Sequence, residues 1–231
     1  MIMKDSMLSL LFLFVTIAVF YGNQAVYKKH QRIWLIPAIP TSILLIALVQ
    51  ATSSSYPLYF KDTQWLVWLL GPATVAFALP IYQNRRIVRK YWMALVAGSL
   101  VSIAVSVVVT LLAAQALSLD EEITRSLLSR SVSTPFALEA TAKLGGTAQL
   151  TGVFVVITGL FGIVLGEVIL TLIPLRSRLA KGAPLGTAAH GFGLSIARSL
   201  GHEEGAVASL TMIFSGVLMV VLSPMIASMV A

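Results

Sequence analysis

The chain has 231 residues, 58% of them hydrophobic and 11% charged, with a formal net charge of +7 and no cysteine. A water-soluble domain carries about 25% charged residues, so this composition excludes an ordinary soluble fold. The missing cysteines exclude disulfides, thiolate catalysis and cysteine-ligated metals, and the basic residues fall in short loops between apolar stretches, where they orient a membrane protein and do not form a nucleic-acid surface.

Six charge-free windows follow in chain order: Ser6 to Tyr27, Ile33 to Phe60, Thr63 to Asn84, Tyr91 to Leu119, Leu144 to Gly166 and Gly205 to Ala231. Each exceeds the roughly 20 apolar residues that a helix needs to cross about 30 Å of hydrocarbon. The first window is too long for a signal peptide and lacks a small-x-small cleavage site before Tyr27, so it reads as a retained helix.

Three short loops are basic: Lys28, Lys29 and Arg32; Arg85, Arg86, Arg89 and Lys90; and Arg176, Arg178 and Lys181. They are expected to face the cytoplasm. The loop from Gln50 to Gln64, with only Lys61 and Asp62, and the acidic connection Asp120, Glu121 and Glu122 then face outward, as does the N-terminus.

Counting onward from Glu122 produces a conflict. If Ile123 to Lys143 crossed once and Leu144 to Leu175 crossed back, the third basic loop would lie outside. The conflict disappears if Ile123 to Lys143, which carries Arg125, Arg130, Glu139 and Lys143, enters and leaves on one side. Such a broken segment at membrane depth must be buried in protein or line a cavity. A second one is expected from Gly182 to Ala197, which is charge-free, short and rich in glycine and alanine.

Two internal echoes are present. Leu70 to Leu79 matches Leu185 to Leu194 at five of ten positions with an offset of 115 residues, making 1–115 and 116–231 candidate repeat halves of a single transmembrane domain. A shorter echo pairs Ala142-Lys143-Leu144-Gly145 with Ala197-Arg198-Ser199-Leu200-Gly201. Duplicated, interrupted apolar segments are a feature of repeat-built transporters.

Three stretches carry candidate chemistry. In Leu70-Gly71-Pro72-Ala73-Thr74-Val75-Ala76-Phe77-Ala78-Leu79-Pro80, the prolines remove backbone donors and break or kink a helix; the alternative is a kinked packing helix. In Ser129-Arg130-Ser131-Val132-Ser133-Thr134-Pro135-Phe136, Thr134 reads as a helix N-cap and Pro135 as the first helical residue. A helix beginning inside the membrane favours an anion at its N-terminus, with Arg130, Ser131 and Ser133 as further donors. The competing reading is a locally satisfied cap.

The third stretch is Gly186-Thr187-Ala188-Ala189-His190-Gly191-Phe192-Gly193, with Arg198 beyond. Its glycines allow close backbone approach. His190 donates to a carboxylate or relays a proton near neutral pH, or else is a structural histidine bonded to a carbonyl. Glu167, alone in a long apolar helix, is a further ionisable candidate. Ser195 with His190 raises a serine-protease reading, but the surrounding residues are not a Gly-x-Ser-x-Gly elbow, and no HExxH or phosphate-binding loop occurs. The chain is therefore read as a non-enzyme without cofactor or metal.

Together Leu70-Gly71-Pro72-Ala73-Thr74-Val75-Ala76, Ser131-Val132-Ser133-Thr134-Pro135 and Leu185-Gly186-Thr187-Ala188-Ala189-His190-Gly191 resemble the three signature regions of the LrgB/CidB family. That family includes YohK-type bacterial proteins and resembles the C-terminal half of the plant chloroplast glycolate/glycerate transporter. Some members have a Gly-Thr-Ala-Arg run after the histidine, whereas this chain reads Gly193-Leu194-Ser195-Ile196, which leaves the role of Arg198 open. The resemblance implies transport of small monocarboxylates (pyruvate, lactate, glycolate or glycerate) with an LrgA/CidA-type companion. Alternatively it implies a holin/antiholin-like regulator of murein hydrolase activity and cell lysis. Buried helix breaks bearing hydroxyls and a histidine favour transport.

The expected fold is an all-α polytopic protein of a bacterial inner membrane, homo-oligomeric, with about six transmembrane helices and two interrupted or re-entrant segments. The expected substrate-binding residues are Pro72, Thr74, Arg130, Ser131, Ser133, Thr134, Pro135, Gly186, Thr187, His190 and Gly191.

Overall fold

The structure, a computed structural model, describes residues 2–30 and 32–230; the side chains of residues 2–5, Ile33 and Glu167 lie outside that description, and with them the candidate role of Glu167. Among the described residues every regular element is helical: α1 (Ile2–Lys29), a 3-10 turn (Ile33–Leu35), α2 (Ala38–Ala51), α3 (Tyr56–Trp68), α4 (Leu70–Ala76), α5 (Ala78–Gln83), α6 (Arg85–Leu117), α7 (Glu121–Leu128), α8 (Thr134–Leu144), α9 (Ala148–Leu172), α10 (Arg178–Ala188), α11 (His190–Leu200) and α12 (His202–Val230).

Among the described residues five stretches are long and apolar enough to cross a membrane: Ser6–Lys29, Tyr56–Gln83, Arg85–Leu117, Ala148–Leu172 and His202–Val230. The window from Ile33 to Phe60 differs from expectation. It yields the 3-10 turn and α2, whose 14 residues span about 21 Å. Pro37 stands at the N-cap of α2, and beyond Thr52 the chain leaves the helix through Ser53 at φ 49°. The stretch Tyr56–Gln83 is interrupted at Leu69 and Phe77, three residues before Pro72 and Pro80 respectively. A proline loses its own amide donor and crowds the preceding turn, so interruption there is the expected consequence.

The chain divides into two compact units, Met1–Pro72 and Ala73–Ala231. In the first, α1 packs on α2 and α3. Polar side chains fasten these apolar helices: Ser9 to Asp62, Asn23 to Thr41 at 2.9 Å, and Thr16 to Tyr59 at 3.2 Å.

The second unit is built on α12, whose most apolar window is 67% buried, against 28% for that of α6. Two helical hairpins pack on it. In α7–α8 the chain turns back on itself, so that Ser129 Oγ meets Thr141 Oγ1 at 2.6 Å and Arg125 donates to the Leu144 carbonyl at 3.1 Å. In α10–α11, Gly193 lies against the Leu185 carbonyl, while Gly205, at the start of α12, lies against Arg198.

Contacts with the long helices fix the depth of both turns. Along α12, Gly182 meets Glu204 and Gly186 meets Ala208 and Thr211, so α10 runs parallel to α12. Phe136, near the start of α8, packs on Gly216 in the middle of α12, and Lys143 reaches the Val220 carbonyl, so α8 also runs parallel to it. Along α9, Gly166, Gly162 and Gly159 meet Leu185, Ala189 and Phe192 in turn. The tip of α10–α11 therefore lies near the middle of α9, and the tips of both hairpins meet the middle of α12. The hairpins enter from opposite ends of the long helices.

Hairpin plus long helix occurs twice, over 120–172 and 177–230, with opposite direction in the bundle. Ser133 and Ala189 cap the second helix of each hairpin and Gly145 and Gly201 end it, 56 residues apart in both cases. The sequence echo between Ala142–Gly145 and Ala197–Gly201 falls at these two helix ends.

This arrangement predicts a labelling pattern. In the cysteine-free chain, single cysteines at Arg86 and Arg178 are expected to be shielded from an impermeant thiol reagent in intact cells, and one at Glu121 to react. Reaction at position 178 from outside would mean that one of the hairpins crosses the membrane.

Candidate functional site

In the first hairpin, α7 ends at Leu128 because the next residues give their polar groups to other partners. Ser129 is fully buried and paired with Thr141, which meets Thr151 at 2.9 Å; Thr151 donates to the Ser126 carbonyl at 3.1 Å. This chain of hydroxyls ties α7, α8 and α9 together, and Ser126 Oγ accepts from the Thr147 amide at 2.8 Å. The turn is a rigid platform.

The helix beyond it starts one residue earlier than the sequence suggests. Ser133, with extended backbone (φ −64°, ψ 149°), is the N-cap, Thr134 opens α8, and Pro135 occupies its first turn. The reason lies in the backbone: a helix-compatible Thr134 leaves Ser133 as the last extended residue. Ser133 makes no capping bond, and its hydroxyl, like that of Ser131, is buried without a hydrogen-bond partner. Arg130 turns away from both, donating to Thr110 on α6 and to the Leu127 carbonyl at 3.5 Å.

In the second hairpin, Ser177 caps α10 through the Ala180 amide at 3.0 Å. The helix ends at Ala188; Ala189 (φ −116°, ψ 4°) leaves it, and His190 takes the left-handed conformation at φ 47°. For a residue with a Cβ this costs about 1–2 kcal/mol, although histidine tolerates it better than most. Glycine stands next door at 191, yet the strained position holds the histidine. His190 is 2% exposed, neither ring nitrogen has a partner meeting hydrogen-bond geometry, and the ring lies beside the Ser131 backbone. The two interrupted segments thus meet.

Several expected ligand residues have other work. Thr187 does not open the second break: it is in the last turn of α10, and its hydroxyl donates to the Ala183 and Pro184 carbonyls at 3.2 and 3.4 Å. The amides at that break belong to α11, which begins at His190. Gly186 is a packing residue against α12. Gly191 is exposed beside open space. Thr74 is half-buried on α4, and Pro72 is the last residue of the first unit. Arg198 lies at the base of the second hairpin, eight residues or about 12 Å of helix from His190. Ser195 Oγ donates to the Phe192 carbonyl at 2.6 Å.

One residue escaped the sequence reading. Ser215, in the middle of α12, is 2% exposed, and its hydroxyl has no partner. Aromatic packing closes the neighbouring wall, where Phe77 stacks on Phe136 with ring centroids 5.7 Å apart. Each tip thus offers the N-terminus of an 11-residue helix, α8 or α11. Such ends carry about half a positive charge and unpaired amides, which suit an anion.

Comparison with known proteins places this geometry in context. Residues 16–229 match the LrgB-like family. Among curated relatives, "Uncharacterized protein YxaC" of Bacillus subtilis is 33% identical over 216 residues, covering 94% of each chain. "Holin-like protein CidB" of Staphylococcus epidermidis is 30% identical over 224 residues, covering 97% of this chain and 98% of its own, and the protein of the same name from Staphylococcus aureus has the same identity and coverage. No solved structure matches the chain.

Proposed function

The chain belongs to the LrgB-like family of multi-pass bacterial membrane proteins, and from that membership and the two hairpin tips we propose that it is the membrane-embedded part of a pathway for small monocarboxylates of the pyruvate, lactate, glycolate or glycerate class. The observation that carries the reading is the meeting of two helix breaks, deep in an apolar bundle, at buried hydroxyls that have no partner and an imidazole that has only the Ser131 backbone beside it. An unpaired polar atom in a dry interior costs about 1–3 kcal/mol, so several retained together support a ligand that pairs them.

The charge pattern favours an anion. Between Ser129 and Thr134 and between Gly186 and Gly193 the only charged residue is Arg130. Two helix N-termini and one guanidinium near the tips, with no carboxylate in either segment, suit a monoanion better than a cation. The amides of α8 and α11 would take the carboxylate oxygens, with Ser131, Ser133 and His190 orienting the rest. A homo-oligomer and an LrgA/CidA-type companion complete the proposed assembly.

The name of the staphylococcal relatives favours a second reading, a holin/antiholin-like regulator of murein hydrolase activity and lysis, and speaks for it more directly than for carboxylate transport. The two readings separate in vesicles reconstituted with the protein, with and without the companion, and loaded with a neutral dye. Saturable uptake of labelled pyruvate or glycolate with the dye retained is expected. Dye release without saturable uptake would overturn the transport reading in favour of the second.

A further inference from the structure

Serine and threonine hydroxyls on helices ordinarily donate to a carbonyl one turn earlier, as Ser126 does to Glu122 at 2.7 Å, Thr110 to Ser106 at 2.7 Å, and Ser223 to Val220 at 2.9 Å. Ser99, on α6, is buried without a partner, but it belongs neither to the hairpins nor to α12. Ser215 also departs from the rule. Its hydroxyl is buried on α12 with no protein partner.

The register of α12 shows where that hydroxyl stands. Glu204, Ala208 and Thr211 face α10 at Gly182, Gly186 and Ala183, the last through Thr211 Oγ1 donating to the Ala183 carbonyl at 3.2 Å. Residues at this spacing of four and three lie on one face of a helix, and the next on that face is Ser215. On α10 the series 182, 186 continues to 190, where the helix has ended and His190 begins the return. The adjacent residue, Gly216, packs on Phe136 in the first turn of α8. Ser215 therefore occupies the stretch of α12 between the two tips, where one hairpin helix has stopped and another has started.

We propose that Ser215 is a solute-contacting residue, the contribution of the uninterrupted helix to a site otherwise built from the two hairpin tips. The ligand it fits is a small organic monoanion with a polar oxygen besides its carboxylate. The helix N-termini hold the charged end, and the Ser215 hydroxyl, which donates or accepts, pairs the second oxygen. This rests on reading the tips as a solute site.

The chain's lack of cysteine allows a direct test. Ser215→Cys and Ser223→Cys proteins, reconstituted at full length, are treated with a small anionic methanethiosulfonate. Ser223 is also fully buried, two turns further along the same helix, but its hydroxyl is satisfied. Modification at position 215 is expected to be at least about tenfold faster than at 223 and to be slowed several-fold by saturating lactate or glycolate; Ser215→Ala should raise the KM of the transported acid about tenfold, and Ser223→Ala should leave it unchanged. Equal or absent modification at 215, fast modification without protection by an acid the protein transports, or an unchanged KM in Ser215→Ala each overturns the assignment. If the wild-type protein transports none of these acids, the transport reading fails by itself. The ratio of modification rates then decides for Ser215: tenfold supports a polar pocket there, and a ratio near one removes it.

Discussion

Replacing Gly186 by valine is expected to abolish accumulation of folded protein, and replacing it by alanine to lower the melting temperature in detergent by several degrees. A Cβ at this position would run into Thr211 Oγ1 and the Ala208 carbonyl of α12, and the carbonyl is backbone that cannot rotate away. Either α10 must move off α12 or the side chain must distort, and overpacking of this kind costs about 1–3 kcal/mol, more for a branched side chain. The effect is amplified because membrane helices associate through close van der Waals packing of small residues and gain little from hydrophobic transfer. Gly191→Ala is the matched comparison. Nothing lies within 4 Å of a Cβ there, and alanine is the better helix former. Its stability should be unchanged or slightly raised, so loss of solute flux in Gly191→Ala alone would place that residue at the site. A normal melting temperature in Gly186→Val would refute the packing role assigned to Gly186.

The contrast between these two glycines shows what the sequence can and cannot convey. The two interrupted segments were legible because charge is expensive in hydrocarbon: four ionisable residues between Arg125 and Lys143, together with the basic loop at Arg176 to Lys181, leave few ways of threading the chain. Polar spacing also singled out Ser131 and Ser133, whose hydroxyls the structure leaves buried and unpaired, and His190, which it buries beside the Ser131 backbone. Depth and direction were not legible. Thr187 resembles Thr134 in sequence, but a helix end is set by which residue first leaves helical backbone, and at the second break that residue is Ala189. Ser215 was invisible because a lone serine in an apolar run normally bonds to its own helix; only the neighbours show that it does not. The break of the Ile33 to Phe60 window was likewise masked, since the turn at Thr52–Ser55 contains no charge. The weak echo at Gly145 and Gly201 carried more structural information than its length suggested, because it marks the ends of equivalent helices.

The second large effect concerns flux. Thr134→Val and His190→Ala are expected to lower carboxylate transport at least tenfold while leaving membrane insertion and expression near normal. Thr134 opens α8 beside the unpaired Ser131 and Ser133, and valine keeps its volume while removing a hydroxyl from the place where a carboxylate would meet the helix N-terminus. His190 contributes two nitrogens, one donor and one acceptor in the neutral ring, at the only point where the second hairpin meets the backbone of the first turn among the contacts described. Alanine removes both, but it also leaves a Cβ residue at φ 47°, so a backbone effect must be separated from a chemical one. His190→Asn makes that separation, because asparagine accepts the left-handed conformation and keeps a donor and an acceptor but does not titrate. A ligand role predicts that asparagine retains stability but only part of the flux; a purely structural role predicts that asparagine restores full flux. Val108→Ala, in the uninterrupted α6, should matter little. Wild-type rates for pyruvate, lactate and glycolate in both Thr134→Val and His190→Ala, across about pH 5.5 to 8 where histidine normally titrates, would dismiss the tips as the solute site even if the protein proved to be a transporter.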